Sequence, residues 1–87
     1  MKTYTTSQGQ EFTIDWASAI TAGHGHQKIT VEIVADNGAK TEFHHTTSNM
    51  PDFDEATDKE GQEKYEALFE LVQNSLDGEI AEWLAEN

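Results

Sequence analysis

Residues 52 to 63 (DFDEATDKEGQE) carry carboxylates at Asp52, Asp54, Asp58, Glu60 and Glu63. These fall at the first, third, seventh, ninth and twelfth places of a twelve-residue calcium loop, whose oxygens would take a hard divalent cation. The match fails where the backbone is most constrained. The fifth place is Ala56, and the sixth, where the sharp turn requires glycine, is Thr57. The preceding Pro51 belongs to the end of a strand pattern, not to an entering helix, so calcium is not expected.

Histidine offers a second chemistry. His24 and His26 alternate on one strand face, and His44 shares that face in the hairpin register derived below, while His45 points the other way. His-x-His on a strand holds a divalent metal only when a third ligand converges. His44 falls opposite Thr30, two alternate-face steps beyond His26, or roughly 13 Å by strand rise. His24 and His26 therefore read as solvated residues of a glycine-rich loop, and no metal or other cofactor is expected. Catalysis finds no support either. The chain has no cysteine, no phosphate-binding glycine loop and no nucleophile elbow. Its carboxylates have no evident pocket to separate them into an acid and a base. The expectation is a protein that is not an enzyme.

Charge narrows the partners. Seventeen acids against five bases give a net charge of −12, and every base is lysine. Residues 51–87 hold twelve of the acids, with only Lys59 and Lys64 among them. Direct binding of nucleic acid calls for a basic patch and favours arginine, so it is not expected. Anionic membranes would repel the chain, and no apolar run is long enough to span one. Residues 1 to 20 do not read as a signal peptide, so the expected location is cytoplasmic. A partner chosen by long-range attraction would be basic.

The elements that carry these groups follow from periodicity. At 87 residues the chain is read as one domain, with hairpins over 1–50 and an acidic loop plus helical segment over 51–87. Ser7-Gln8-Gly9 and Asp36-Asn37-Gly38 read as three-residue hairpin loops closed by a glycine. The first sets Tyr4 opposite Phe12. The second sets Ile29, Val31 and Ile33 opposite His45, Phe43 and Thr41. A two-residue Asn-Gly turn would instead put polar residues opposite the apolar face. Asp15 to Gly23 reads as a short helix near residues 16–22, with Asp15 as cap and Trp16 and Ile20 on one face; a bulged strand is the competing reading. Met50 before Pro51 is expected to be extended and to end the sheet.

From Tyr65 the apolar positions 65, 68, 69, 72, 76, 80, 83 and 84 form a helical stripe. Its phase continues through Gly78, so a single helix and a kinked pair both fit. The expected fold is α+β: an antiparallel sheet of about four strands packed on the C-terminal helix. Its core would be Tyr4, Phe12, Ile14, Ile29, Val31, Ile33, Phe43, Leu68, Phe69, Val72 and Leu76.

Glu63, Glu66 and Glu70 then form one carboxylate stripe, and Glu79, Glu82 and Glu86 repeat its spacing near the end. Like charges so placed cost roughly 0.2–0.5 kcal/mol per pair, and acids in the last turn oppose the helix dipole. Successive carboxylates lie about 4.5–6 Å apart by helical rise, not far from the spacing of phosphates along a nucleic-acid strand. The expected contact surface is this array together with Asp52, Asp54, Glu55, Asp58, Glu60 and Asp77, with Trp83 as its aromatic member.

In size and charge, though in no particular motif, the chain resembles small phage-encoded acidic inhibitors, anti-CRISPR proteins among them. That resemblance implies an inhibitor or decoy that occupies a basic groove on a nucleic-acid-binding protein, in a host cytoplasm. A second reading is an accessory or assembly module that self-associates, for instance as a homodimer, through an apolar surface at Ile80, Trp83 and Leu84.

Overall fold

The computed structural model describes residues 1–21, 23, 25–48 and 52–87. Four strands form one antiparallel sheet in the order β1-β2-β3-β4: β1 Thr3–Thr5, β2 Glu11–Thr21, β3 His26–Ala35 and β4 Lys40–Ser48. Two helices follow, α1 Phe53–Thr57 and α2 Gly61–Glu86.

Both predicted hairpin registers are present. Tyr4 pairs with Phe12, and Thr6 N–H donates to Gln10 O at 2.8 Å. Ile29, Val31 and Ile33 pair with His45, Phe43 and Thr41. Gly9 and Gly38 close the loops with φ of 87° and 88°, a left-handed conformation that costs glycine nothing.

The segment around Trp16 is a strand rather than the short helix expected near residues 16–22. β2 runs to Thr21, and the register shifts between Ile14 and Trp16. The extra residue is Asp15, a bulge of the kind that two residues opposite one produce. Tertiary pairing decides the matter. A ten-residue β3 offers nine partners along β2, whereas a lone helical turn would leave β3 unpaired on that side. Continued pairing also puts Ala17 in the core and Trp16 and Ile20 on the outer face, where they are 39% and 58% exposed. Val34 lies on that outer face too, half-buried.

The apolar stripe of α2 covers the inner face without interruption, and Gly78 stays helical within a single 26-residue helix. Ten of the eleven core residues expected from the pattern are buried; Phe43 is half-buried at the margin. Tyr4, Phe12 and Phe69 form the aromatic centre. Phe69 sets its edge against both partners, at centroid distances of 4.9 and 5.6 Å, a geometry that adds about 0.5–1.5 kcal/mol per pair to the burial itself.

The acidic loop contains a helix that periodicity had not suggested. Phe53 and Ala56, three apart, turn inward from α1 and join the core. Residues 49–51, on which the expected end of the sheet at Met50–Pro51 falls, lie outside the described residues.

Gly78 has ordinary helical φ, and a Cβ built on it meets nothing within 4 Å. Gly78→Ala should therefore stabilise the protein by about 0.5–1 kcal/mol, read as a higher urea midpoint at unchanged slope.

Candidate functional site

Twelve carboxylates stand between residues 51 and 87, and the structure divides them by task. Three bind the first hairpin to α2. Glu70 accepts from the Tyr4 hydroxyl at 2.6 Å and from Lys2 Nζ at 3.0 Å. Glu66 accepts from Lys2 N–H at 2.8 Å and from Gln62. Asp77 accepts from Ser7 N–H at 3.0 Å and from the Ser7 hydroxyl. Gln10 adds a bond to Ala81 O at 3.0 Å. These donors all favour the charged carboxylate. Glu70 is held below its ordinary pKa by Tyr4 and then Lys2, Glu66 by Gln62 and then Lys2, and Asp77 by Ser7. The Tyr4 hydroxyl is pushed far upward by burial and by Glu70.

The other nine are exposed: Asp52, Asp54, Glu55, Asp58, Glu60, Glu63, Glu79, Glu82 and Glu86. Among the described residues, none of them forms an ion pair. They do not make one ridge. Glu79 follows Glu70 by nine residues, or two and a half turns, which places the Glu79, Glu82 and Glu86 group on the opposite flank of α2. The first group gathers instead with α1. Asp52, Glu55 and Lys59 share an open groove of about 360 Å³ with Ala67, Glu70 and Leu71. Lys59, Glu63, Glu66, Ala67 and Glu70 line the groove beside it, together with Lys2. One acidic face thus spans α1 and the first half of α2.

The calcium-loop spacing is broken up by α1 and the start of α2: Asp54 and Glu63 lie within the helices, and Asp52, Asp58 and Glu60 flank them. No group of three ligating side chains converges among the described residues. His24 lies outside those residues. His44 Nδ1 lies 2.9 Å from the Thr30 hydroxyl, and His45 is half-buried opposite Ile29. At the C-terminal end Ile80 is fully buried, and Trp83 and Leu84 pack against the core.

A further charged cluster lies on the outer face of the sheet. Lys40 Nζ sits 3.0 Å from Asp15 and holds that carboxyl low. Glu32, hydrogen-bonded to Asp15, is held high. Its legibility depended on the bulge: once β2 runs past Asp15, the register brings the three side chains together.

No protein-family model, curated protein or solved structure matches the chain. No helix among the described residues is long and apolar enough to cross a membrane.

A carboxylate whose pKa is depressed by folding contributes stability above its unfolded pKa, near 4, and that contribution is lost as pH falls through the folded value. Comparing wild type with Glu70→Gln isolates the hairpin clip. The wild type should exceed the variant in stability above about pH 5, with the gap closing as the solution is acidified. Denaturant midpoints across that range test this.

Proposed function

We propose that this protein is a small non-enzymatic binding module whose acidic face, on α1 and the first half of α2, occupies a basic groove on a partner protein. The groove would be one built for nucleic acid, and the module would act as an inhibitor or decoy that stands in for the phosphates. The observation that supports this is the state of Asp52, Asp54, Glu55, Asp58, Glu60 and Glu63. They are exposed, close together in the chain and without ion-pair partners among the described residues, although Lys59 and Lys64 stand among them.

The arrangement is costly to the isolated fold. Neighbouring like charges destabilise helices, and lysine at several of these positions would lower that cost. A cationic groove supplies the missing counter-charges on binding and draws the module in from beyond contact distance. Within a Debye length of about 8 Å at physiological ionic strength, several of these carboxylates act together. Glu66, Glu70 and Asp77 contribute to the field while holding the hairpin. Glu79, Glu82 and Glu86 face away from this surface and would not enter the same groove.

The test is capture from host extract at low salt, elution by a salt step, and identification of the eluted proteins. The expected result is a basic nucleic-acid-processing protein whose nucleic acid is displaced by the module. Its affinity should fall about tenfold or more between low and high salt. The triple variant Glu55→Gln, Asp58→Asn, Glu63→Gln should weaken capture by a similar factor. Salt-insensitive binding, or equal capture by the neutralised variant, would refute this reading.

The self-associating alternative draws on Trp16 and Ile20, the large apolar side chains left on the outer face of the sheet, rather than on Trp83. It requires a dimer by light scattering that Trp16→Ser dissociates and Trp83→Ala does not.

A further inference from the structure

We infer that the free edge of β4 is a strand-addition site for an extended, lysine- or arginine-bearing segment of a partner protein. The hydrogen-bonding direction along β4 follows from its hairpin. Ala35 N–H donates to Ala39 O at 2.8 Å, and the register continues without a shift from Val34–Lys40 to His26–Ser48. In an antiparallel ladder, successive residues turn their N–H and C=O groups alternately to either side. Ile33, Val31 and Ile29 thus bond to Thr41, Phe43 and His45. The backbone groups of Glu42, His44 and Thr46 point away from the sheet, and all three residues are exposed.

Sheet edges are normally blunted by short strands, lysine, proline, bulges or covering elements. The opposite edge of this sheet uses several of these devices. β1 is three residues long and begins beside Lys2, β2 bulges at Asp15, and Gln62 Nε2 donates to Ile14 O at 2.7 Å, one residue past the Thr3–Thr13 pair at which β1 begins. Along β4 fewer are present: its nine residues contain no proline and no bulge, its one lysine is the terminal Lys40, and no strand pairs with its outer side among the described residues.

Charge selects the occupant. Asp15, Glu32 and Glu42 form a row across β2, β3 and β4 on the outer face, with Glu32 directly opposite Glu42. Lys40 answers Asp15, and Asp15 bonds Glu32. Glu42, at the open edge, has no partner among the described residues. A fifth strand would place a side chain beside Glu42, where lysine or arginine supplies the missing charge. The neighbouring residue of that strand would turn inward beside half-buried Phe43. A second copy of this chain fits less well, because each copy carries a net charge of −12 and would be repelled. A basic partner is common to this edge and to the acidic helix face, but the residues differ, so each proposal can fail alone.

The probe is an acetylated ten-residue peptide of alternating valine and lysine, followed by backbone amide exchange in the labelled protein. In the free protein the amides of Glu42, His44 and Thr46 should exchange fast and those of Thr41, Phe43 and His45 slowly. Bound peptide should slow the first set about tenfold or more. The glutamate counterpart of the peptide should leave it unchanged. Thr46→Pro removes an outward N–H that β3 does not use and suits an edge strand, so it should retain the fold and lose about tenfold or more in peptide affinity. Lysine-peptide binding that leaves the Glu42, His44 and Thr46 amides exchanging as before would overturn the proposal. So would full affinity in a folded Thr46→Pro. Protection of those amides in the free protein that grows with concentration, alongside a doubled mass, would assign the edge to a second copy instead. Full peptide binding by the acidic-face triple variant, with loss in Thr46→Pro, would separate the edge from the helix face.

Discussion

A single helix must cover a four-stranded sheet, and much of this molecule follows from that mismatch. Strand axes lie about 4.8 Å apart, so four strands span about 14 Å between the outer pair, while a helix with its side chains is about 10–12 Å across. α2 has the length for the task, since 26 residues rise about 39 Å, but not the breadth. It is placed towards the β1–β2 side, where Phe69 meets Tyr4 and Phe12 and where the polar bonds to Lys2, Ser7 and Gln10 are made. Phe43 on β4 is consequently half-buried, while Val31 and Ile33 on β3 are fully enclosed.

The acidity of the second half has two unrelated origins under that arrangement. Glu66, Glu70 and Asp77 occupy the flank of α2 that faces the short first strand. β1 pairs with β2 at only three positions, too few to secure it by backbone bonding alone, and the carboxylates supply charge-assisted bonds that do. Among the described residues the remaining nine acids make no comparable contact. Composition therefore overstates how much charge is available to a partner, and helical phase divides what is left between two flanks. A binding surface on α1 and the first half of α2 is what survives both reductions.

Local rules sufficed where one face was plainly apolar. The three-residue loops ending in Gly9 and Gly38 set two registers, and in the second any one-residue slip would have separated Val31 from Phe43. The α2 stripe kept its phase through Gly78, and burial of Leu76 and Ile80 outweighs the cost of one glycine. Asp15 to Thr21 was misleading because Trp16 and Ile20 are four apart, an interval that shares one face of a helix and of a strand alike, and the bulge at Asp15 turns that strand face outward. Its signal lay in Ala17 and Ala19, small residues alternating inward. α1 was hidden by its surroundings: Phe53 and Ala56 are the only two apolar contacts in a run of acids, and both turn to the core. The clips to Lys2, Ser7 and Tyr4 were beyond reach because they join residues more than sixty positions apart.

Net charge and the bare edge of β4 are best understood together. A nine-residue strand with open backbone groups would ordinarily invite pairing between copies, and within β4 only Lys40 at its end and the charge of Glu42 oppose it. Further opposition comes from the molecule as a whole, since two chains each at −12 approach against their mutual field. A field of one sign does not discriminate by sequence, but it does discriminate by partner. It excludes the chain's own copies and other acidic proteins while attracting cationic ones. Negative charge can thus protect an edge from aggregation and still leave it open to a basic strand, a selectivity that a proline or a bulge in β4 would not provide.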